Sequence, residues 1–415
     1  MNEQQKHADS IDYLLLLGFT GTFLLCLCSV GFLFFRAYLS GASGEIAQGI
    51  GFFWTIIALF LIGLPSAIIS IRAIQGRETP LLNPPKLKLR YVVLLFPLIL
   101  LLGYFTLEKP NRITVLNPIV HIVAAAIPAL FAILLVLRHS PRVSQRRFWG
   151  SLFIGTWIIP ISAIIAELVL MIVAMTTLFF RSMSTAEGQA LLESLSNPEN
   201  WASESMIESY AALLDQPIVI ISIVVFVCVL VPLIEESLKS TVILPILGRK
   251  PSPSESFLSG VLGGVGFAFV EAILLTPTGT DWTQTMFTRG AATMMHTFTA
   301  GMTCWGIGQA ITYKRWKRFL GAFAIAVTMH GLWNAAAIGI GIGTLAGQGG
   351  ETIISSGIAQ SILIMGVLVL VALSTVAFAG LVLIPDRLRE DWDDLTPHIQ
   401  ENSDLTPSAS PEIQT

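Results

Sequence analysis

Charge is what this chain has least of: Asp, Glu, Lys and Arg make up 12% of its 415 residues, against 53% hydrophobic residues. So few charges cannot clothe a soluble domain of that length, and many of the apolar runs are long enough to span lipid. The 24 Lys and Arg are nearly balanced by 27 Asp and Glu. With no basic patch interleaved with aromatics, nucleic acid is not expected as a partner. Cysteine is scarce too. Cys26, Cys28, Cys228 and Cys304 all sit in apolar segments and none forms a CxxC pair, so they read as small buried residues rather than disulfides or metal ligands. HExxH is absent, and so is any internal repeat.

What is present is a series of hydrocarbon-length segments. Windows of about 20 residues give ten candidate helices, centred on 12–35, 50–71, 91–107, 115–137, 148–180, 217–247, 256–275, 290–312, 319–345 and 353–384. The first is longer than a signal-peptide core and has the wrong flank, so it is expected to persist as a helix. Lipid-exposed loops cannot cross a bilayer because their backbone groups would lack partners, which predicts an all-α, polytopic helical membrane protein of about ten spans.

Orientation follows from basic residues. With the N-terminus inside, Arg72 to Arg90, Arg138 to Arg147, Arg249 and Lys250, Lys314 to Arg318, and Arg387 and Arg389 share one side. Only Arg36, Lys109, Arg112, Arg181 and Arg289 fall on the other. Both termini are therefore expected to be cytoplasmic. Four regions follow: a four-helix membrane region over 1–147, a fifth helix with an acidic outer loop over 148–216, a membrane core with the last helix over 217–384, and a tail over 385–415 too polar to build a core. The outer loop carries Leu191, Leu192 and Leu195 at a spacing that permits a short surface helix.

Four polar clusters interrupt the apolar segments: Glu235-Glu236-x-x-Lys239, Phe267-x-x-x-Glu271, Arg289 with His296, and His330-x-x-x-Asn334. Charges in hydrocarbon cost at least a few kcal/mol, so they usually face one another or a wet cavity. Spacings of four and seven place the members of each cluster on one helical face. Counted from the basic boundary residues at about 1.5 Å per residue, Glu235, Glu236, Glu271, His296, His330 and Asn334 all lie about 20 Å above the cytoplasmic boundary of a roughly 30 Å core. Four segments thus predict one shared site, nearer the outer surface than the inner.

The chemistry has alternatives at this level. Adjacent residues on a helix point about 100° apart, so one of Glu235 and Glu236 is expected to face the cavity while the other pairs with Lys239. Glu271, His296 and His330 could supply three ligands to a divalent metal such as zinc. Without metal, a glutamate and a histidine could activate water while His330 and Asn334 stabilise an oxyanion. Phe267 reads as packing, Arg289 as an interface anchor, His121 as a wet boundary residue, and Glu167 as a partner in a local hydrogen bond to a neighbouring helix or, alternatively, as a lining residue of the same cavity. Pro232 could kink the helix just before the carboxylates.

The ordered set, Glu235-Glu236-x-x-Lys239, Phe267-x-x-x-Glu271, His296 and His330-x-x-x-Asn334, resembles the PrsW family of intramembrane proteases, itself similar to the wider CAAX-processing and bacteriocin-immunity group. The resemblance covers about residues 230–335. It implies hydrolysis of a membrane-anchored protein on the outer side of a bacterial plasma membrane, with an anti-sigma factor as the substrate type. Glu235 and Glu236 would be the catalytic carboxylates, with Glu271, His296 and His330 completing the constellation. The CAAX group has a histidine where Glu271 stands, so its division of labour does not transfer directly. The rival readings are a proton-coupled transporter or channel, which should show two repeated halves, and a non-catalytic membrane scaffold.

Overall fold

The computed structural model describes residues 10–40, 43–77, 80–82, 87–108, 116–138, 143–182, 185, 189, 217–249, 251–275, 281–347 and 356–388. The expected surface helix at 191–195 and the tail beyond Leu388 lie outside these. The helices are α1 (Ser10–Ser40), α2 (Ser43–Ile74), α3 (Leu89–Gly103), α4 (Asn117–Leu137), α5 (Gln145–Phe153), α6 (Ile159–Ser182), α7 (Pro217–Val225), α8 (Val231–Lys239), α9 (Pro253–Leu275), α10 (Trp282–Tyr313), α11 (Trp316–Gly347) and α12 (Ser356–Leu388). Single π-turns join α5 to α6 (Ile154–Ile158) and α7 to α8 (Phe226–Leu230), so the twelve helices form ten rods at the ten expected places. No strand occurs among the described residues, only a single bridge between Leu81 and Ser144.

Nine rods among the described residues are long and apolar enough to cross a membrane, and the protein is a multi-pass, all-α membrane protein. The tenth, α10, carries Arg289, His296, Gln309 and a series of threonines. It can be this polar because α4, α9, α11 and α12 surround it. Side chains facing outward on α1, α3, α6 and α7 are large and apolar, among them Leu17, Leu98, Met175 and Ile221. Such surface is what a bilayer solvates.

The core is built around α9, which packs against α4, α5, α8 and α10. Its start is a reciprocal capping box: Ser252 Oγ accepts the Glu255 N–H at 3.1 Å, and Glu255 Oε2 accepts the Ser252 N–H at 3.2 Å. Glu255 also pairs with Arg147 Nη1 at 2.6 Å, tying α9 to α5, while Arg146 forms a two-point ion pair with buried Asp12 that ties α5 to α1. Close approach then needs small residues. A Cβ on Gly264 would sit 2.6 Å from the His296 carbonyl oxygen, so Gly264 sets how near α9 lies to the backbone that carries His296.

Candidate active site and metal centre

The carboxylates enter the bundle through an interrupted helix. In the π-turn before α8 the Val231 N–H reaches back to the Phe226 carbonyl. The next carbonyl in that register, Val227, would need the N–H of residue 232, and Pro232 has none. Asn334 Nδ2 on α11 supplies the missing donor to Val227 O at 2.9 Å. One residue on, the Cys228 carbonyl lies against Gly331, where any Cβ would collide with it. Asn334 and Gly331 thus dock α11 onto the turn that aims α8, and His330 comes with them.

Glu235, Glu236 and Lys239 occupy one face of α8 and are all buried. Lys239 Nζ lies 3.1 Å from Glu235 Oε2, 2.8 Å from Glu236 Oε1 and 2.8 Å from His296 Nδ1. The expectation that only one glutamate pairs with Lys239 is corrected, because spacings of three and four bring both carboxylates within reach of one ammonium. Phe267 is more than packing: its ring lies 4.2 Å from the ammonium, a cation–π contact that helps hold a charge with no access to water.

The two imidazoles are fixed by what surrounds them. Glu271 Oε2 lies 2.8 Å from His296 Nε2. A carboxylate accepts, so Nε2 carries the proton and Nδ1 presents its lone pair to Lys239. Arg289 Nη1 donates to Glu271 Oε1 at 2.6 Å. Arg289 therefore clamps Glu271 rather than simply anchoring at an interface. His330 Nδ1 donates to Glu236 Oε1 at 3.0 Å, which turns Nε2 toward Glu235 Oε2 at 3.8 Å. The rings meet edge to face with centroids 4.8 Å apart. Thr299, which carried no recognisable motif, donates its hydroxyl to Glu236 Oε1 at 3.2 Å. Glu236 Oε1 thus takes three donors, while Glu236 Oε2 is buried without a partner.

Among the described residues, Glu235, His296 and His330 each offer a ligand atom, and these atoms all lie within 4.8 Å of one another. One carboxylate and two imidazoles make a donor set suited to a divalent cation such as zinc. Each imidazole also hands its other N–H to a carboxylate, the outer contact that holds ligating histidines in place. The donor types fit a metal, and Lys239 Nζ lies between two of them, 3.1 Å from Glu235 Oε2 and 2.8 Å from His296 Nδ1. Where the expected trio was Glu271, His296 and His330, the group with ligand atoms close together takes Glu235 with the two imidazoles. Both oxygens of Glu271 are already engaged, one by His296 and one by Arg289.

Two other expectations change. His121 is buried rather than wet: its Nε2 donates to Ile273 O at 3.0 Å and its Nδ1 accepts from Trp282 Nε1 at 2.9 Å, linking α4 to the facing ends of α9 and α10. Glu167 has no local hydrogen bond at Oε1, which is buried and without a partner.

Acids, imidazoles and an ammonium share one buried centre inside the membrane helices. Residues 202–377 match the family model described as PrsW family intramembrane metalloprotease, and this region is similar to the proteases of that family. No curated protein and no solved structure matches the chain.

Proposed function

We propose that the protein cuts a peptide bond of a membrane-anchored protein near the outer face of a bacterial plasma membrane, with both termini in the cytoplasm and an anti-sigma factor as the substrate type. Residues 217–384 act as the protease core. The observation that carries the reading is the convergence of Glu235, His296 and His330 within 4.8 Å around one buried centre. The basic-residue bias and the depth of that centre in the sequence support the outer face.

Glu235, His296 and His330 would hold a divalent metal, which would supply Lewis-acid polarisation and acidify a bound water. Glu271, pinned by Arg289, keeps the proton on His296 Nε2, so that Nδ1 keeps its lone pair, which faces Lys239 Nζ at 2.8 Å. Glu236 keeps the proton on His330 Nδ1 in the same way, through Oε1. Its second oxygen, unpartnered Oε2, is the base. Water oxygen adds to the peptide carbonyl carbon, and the water proton passes to Glu236 Oε2. The proton then moves to the amide nitrogen as the C–N bond breaks, leaving a carboxylic acid and an amine. Asn334, committed to the Val227 carbonyl, positions α8 and His330 from outside the reaction.

The test is cleavage of single-span proteins by the purified chain in liposomes, comparing wild type with Glu235→Gln, Glu236→Gln, His296→Ala and His330→Ala. Each variant should lose at least a hundredfold in rate, the scale of a lost acid–base group, and a chelator should abolish wild-type cleavage until zinc is restored. Undiminished cleavage by Glu236→Gln or His330→Ala overturns the assignment.

A further inference from the structure

A helix preceding the family match packs against two of the helices that build this centre. Helix α6 is apolar from Ile159 to Phe180 except for a few small polar residues and a single carboxylate, Glu167. Its neighbours Ile164, Ile165, Leu168 and Val169 face outward. Glu167 instead lies half-buried where α6 packs against α8 and α9, the helices that bear Glu235, Glu236 and Glu271. Each of the other three acids is matched to a cation or an imidazole. Glu167 Oε1 is buried with no donor at all.

An unpaired acceptor in hydrocarbon surroundings is costly and persists where something else completes it. A peptide about to be cut in a membrane has the complementary problem. Its helix must unwind to expose a carbonyl, and each N–H freed in that way lacks a partner in lipid. We infer that Glu167 is a substrate-contacting residue, supplied by the N-terminal half, whose free carboxyl oxygen accepts backbone N–H groups of the unwound segment beside the scissile bond. The inference rests on the protease reading and adds the side from which the substrate is held, the junction of α6 with α8.

The test measures binding apart from cleavage. A dye-labelled synthetic single-span peptide, leucine–alanine with a central Gly–Gly break, is titrated into liposomes holding full-length Glu236→Gln protein. The same titration is run with Glu167→Ala and Glu167→Gln added. Glu167→Ala should weaken binding about tenfold, equivalent to about 1.4 kcal/mol. Glu167→Gln, which keeps a carbonyl acceptor of the same shape, should stay within about threefold of the parent. In the otherwise wild-type protein the Ala change should raise KM with kcat little altered, as expected of a contact made equally in the ground and transition states. Equal binding by Glu167→Ala and its parent overturns the inference, as does equal damage from Ala and Gln, since a charge-setting role would not be rescued by the amide. If the wild type cleaves no single-span protein, the protease reading falls, and this outcome is separate from the binding result.

Discussion

Two neighbouring rods of this bundle invert the rule learned from soluble proteins. Within Pro217–Leu244, spanning α7 and α8, an apolar 18-residue window has the highest mean hydropathy, 3.1, yet only 11% of that window is buried; the corresponding window of Pro253–Leu274, within α9, has a mean hydropathy of 1.9 and is 89% buried. Lipid is as apolar as leucine, so a large hydrophobic side chain gains little by leaving it, and close packing inside the bundle falls to small residues. High hydropathy here marks the lipid face. The three charges at the end of the more apolar rod, Glu235, Glu236 and Lys239, are therefore the more telling, because they are turned away from that face into the core.

The comparison can be broken most forcefully at Lys239. Lys239→Met leaves two buried carboxylates without their shared cation, and removal of one partner from a buried ion pair costs about 3–5 kcal/mol. Detergent-denaturation curves should show that loss and cleavage should vanish, although the rod's lipid-facing surface is untouched. Next comes Gly264→Val in α9, where a side chain would press on the His296 carbonyl. Overpacking costs about 1–3 kcal/mol, so the Tm should fall and activity should fall further, because His296 is displaced.

A smaller effect is expected where the two helical styles meet. Asn334→Ala strands the Val227 carbonyl at a cost of about 1–3 kcal/mol. Pro232→Ala returns an N–H to the turn. The double variant should then be less destabilised than the sum of the singles, a coupling visible in a double-mutant cycle; strict additivity would disprove the account of the π-turn. The smallest effect should come from Gly321→Ala in α11, where a Cβ meets nothing within 4 Å. Relief of glycine's helix penalty, up to about 1 kcal/mol, should leave stability unchanged or slightly raised and cleavage intact.

Much of this was legible without coordinates, for reasons that differ residue by residue. The ten rods follow from segment length and from the ban on unpaired backbone in lipid. Glu235, Glu236, Lys239, Glu271, His296 and His330 stood out because charge in hydrocarbon is costly enough to be rare. Thr299 did not, since a threonine in a membrane helix ordinarily returns its hydroxyl to its own backbone, as Thr293 and Thr297 do. Arg289 and Asn334 were visible as polar residues, but their partners were not: Glu271 and Val227 lie 18 and 107 residues away.

By itself the sequence determined the ten rods found among the described residues, that they lie in a membrane, and which few groups must share its interior, because each of those follows from the free energy of single residues or short windows in lipid. The tertiary structure alone decided which oxygen meets which nitrogen. It gave Lys239 to both glutamates, grouped Glu235 with the two imidazoles, and left Glu236 Oε2 and Glu167 Oε1 without donors. Those outcomes depend on ångström-scale approach between helices distant in the chain, set by Gly264, Gly331 and the break at Pro232, and no local propensity encodes that distance.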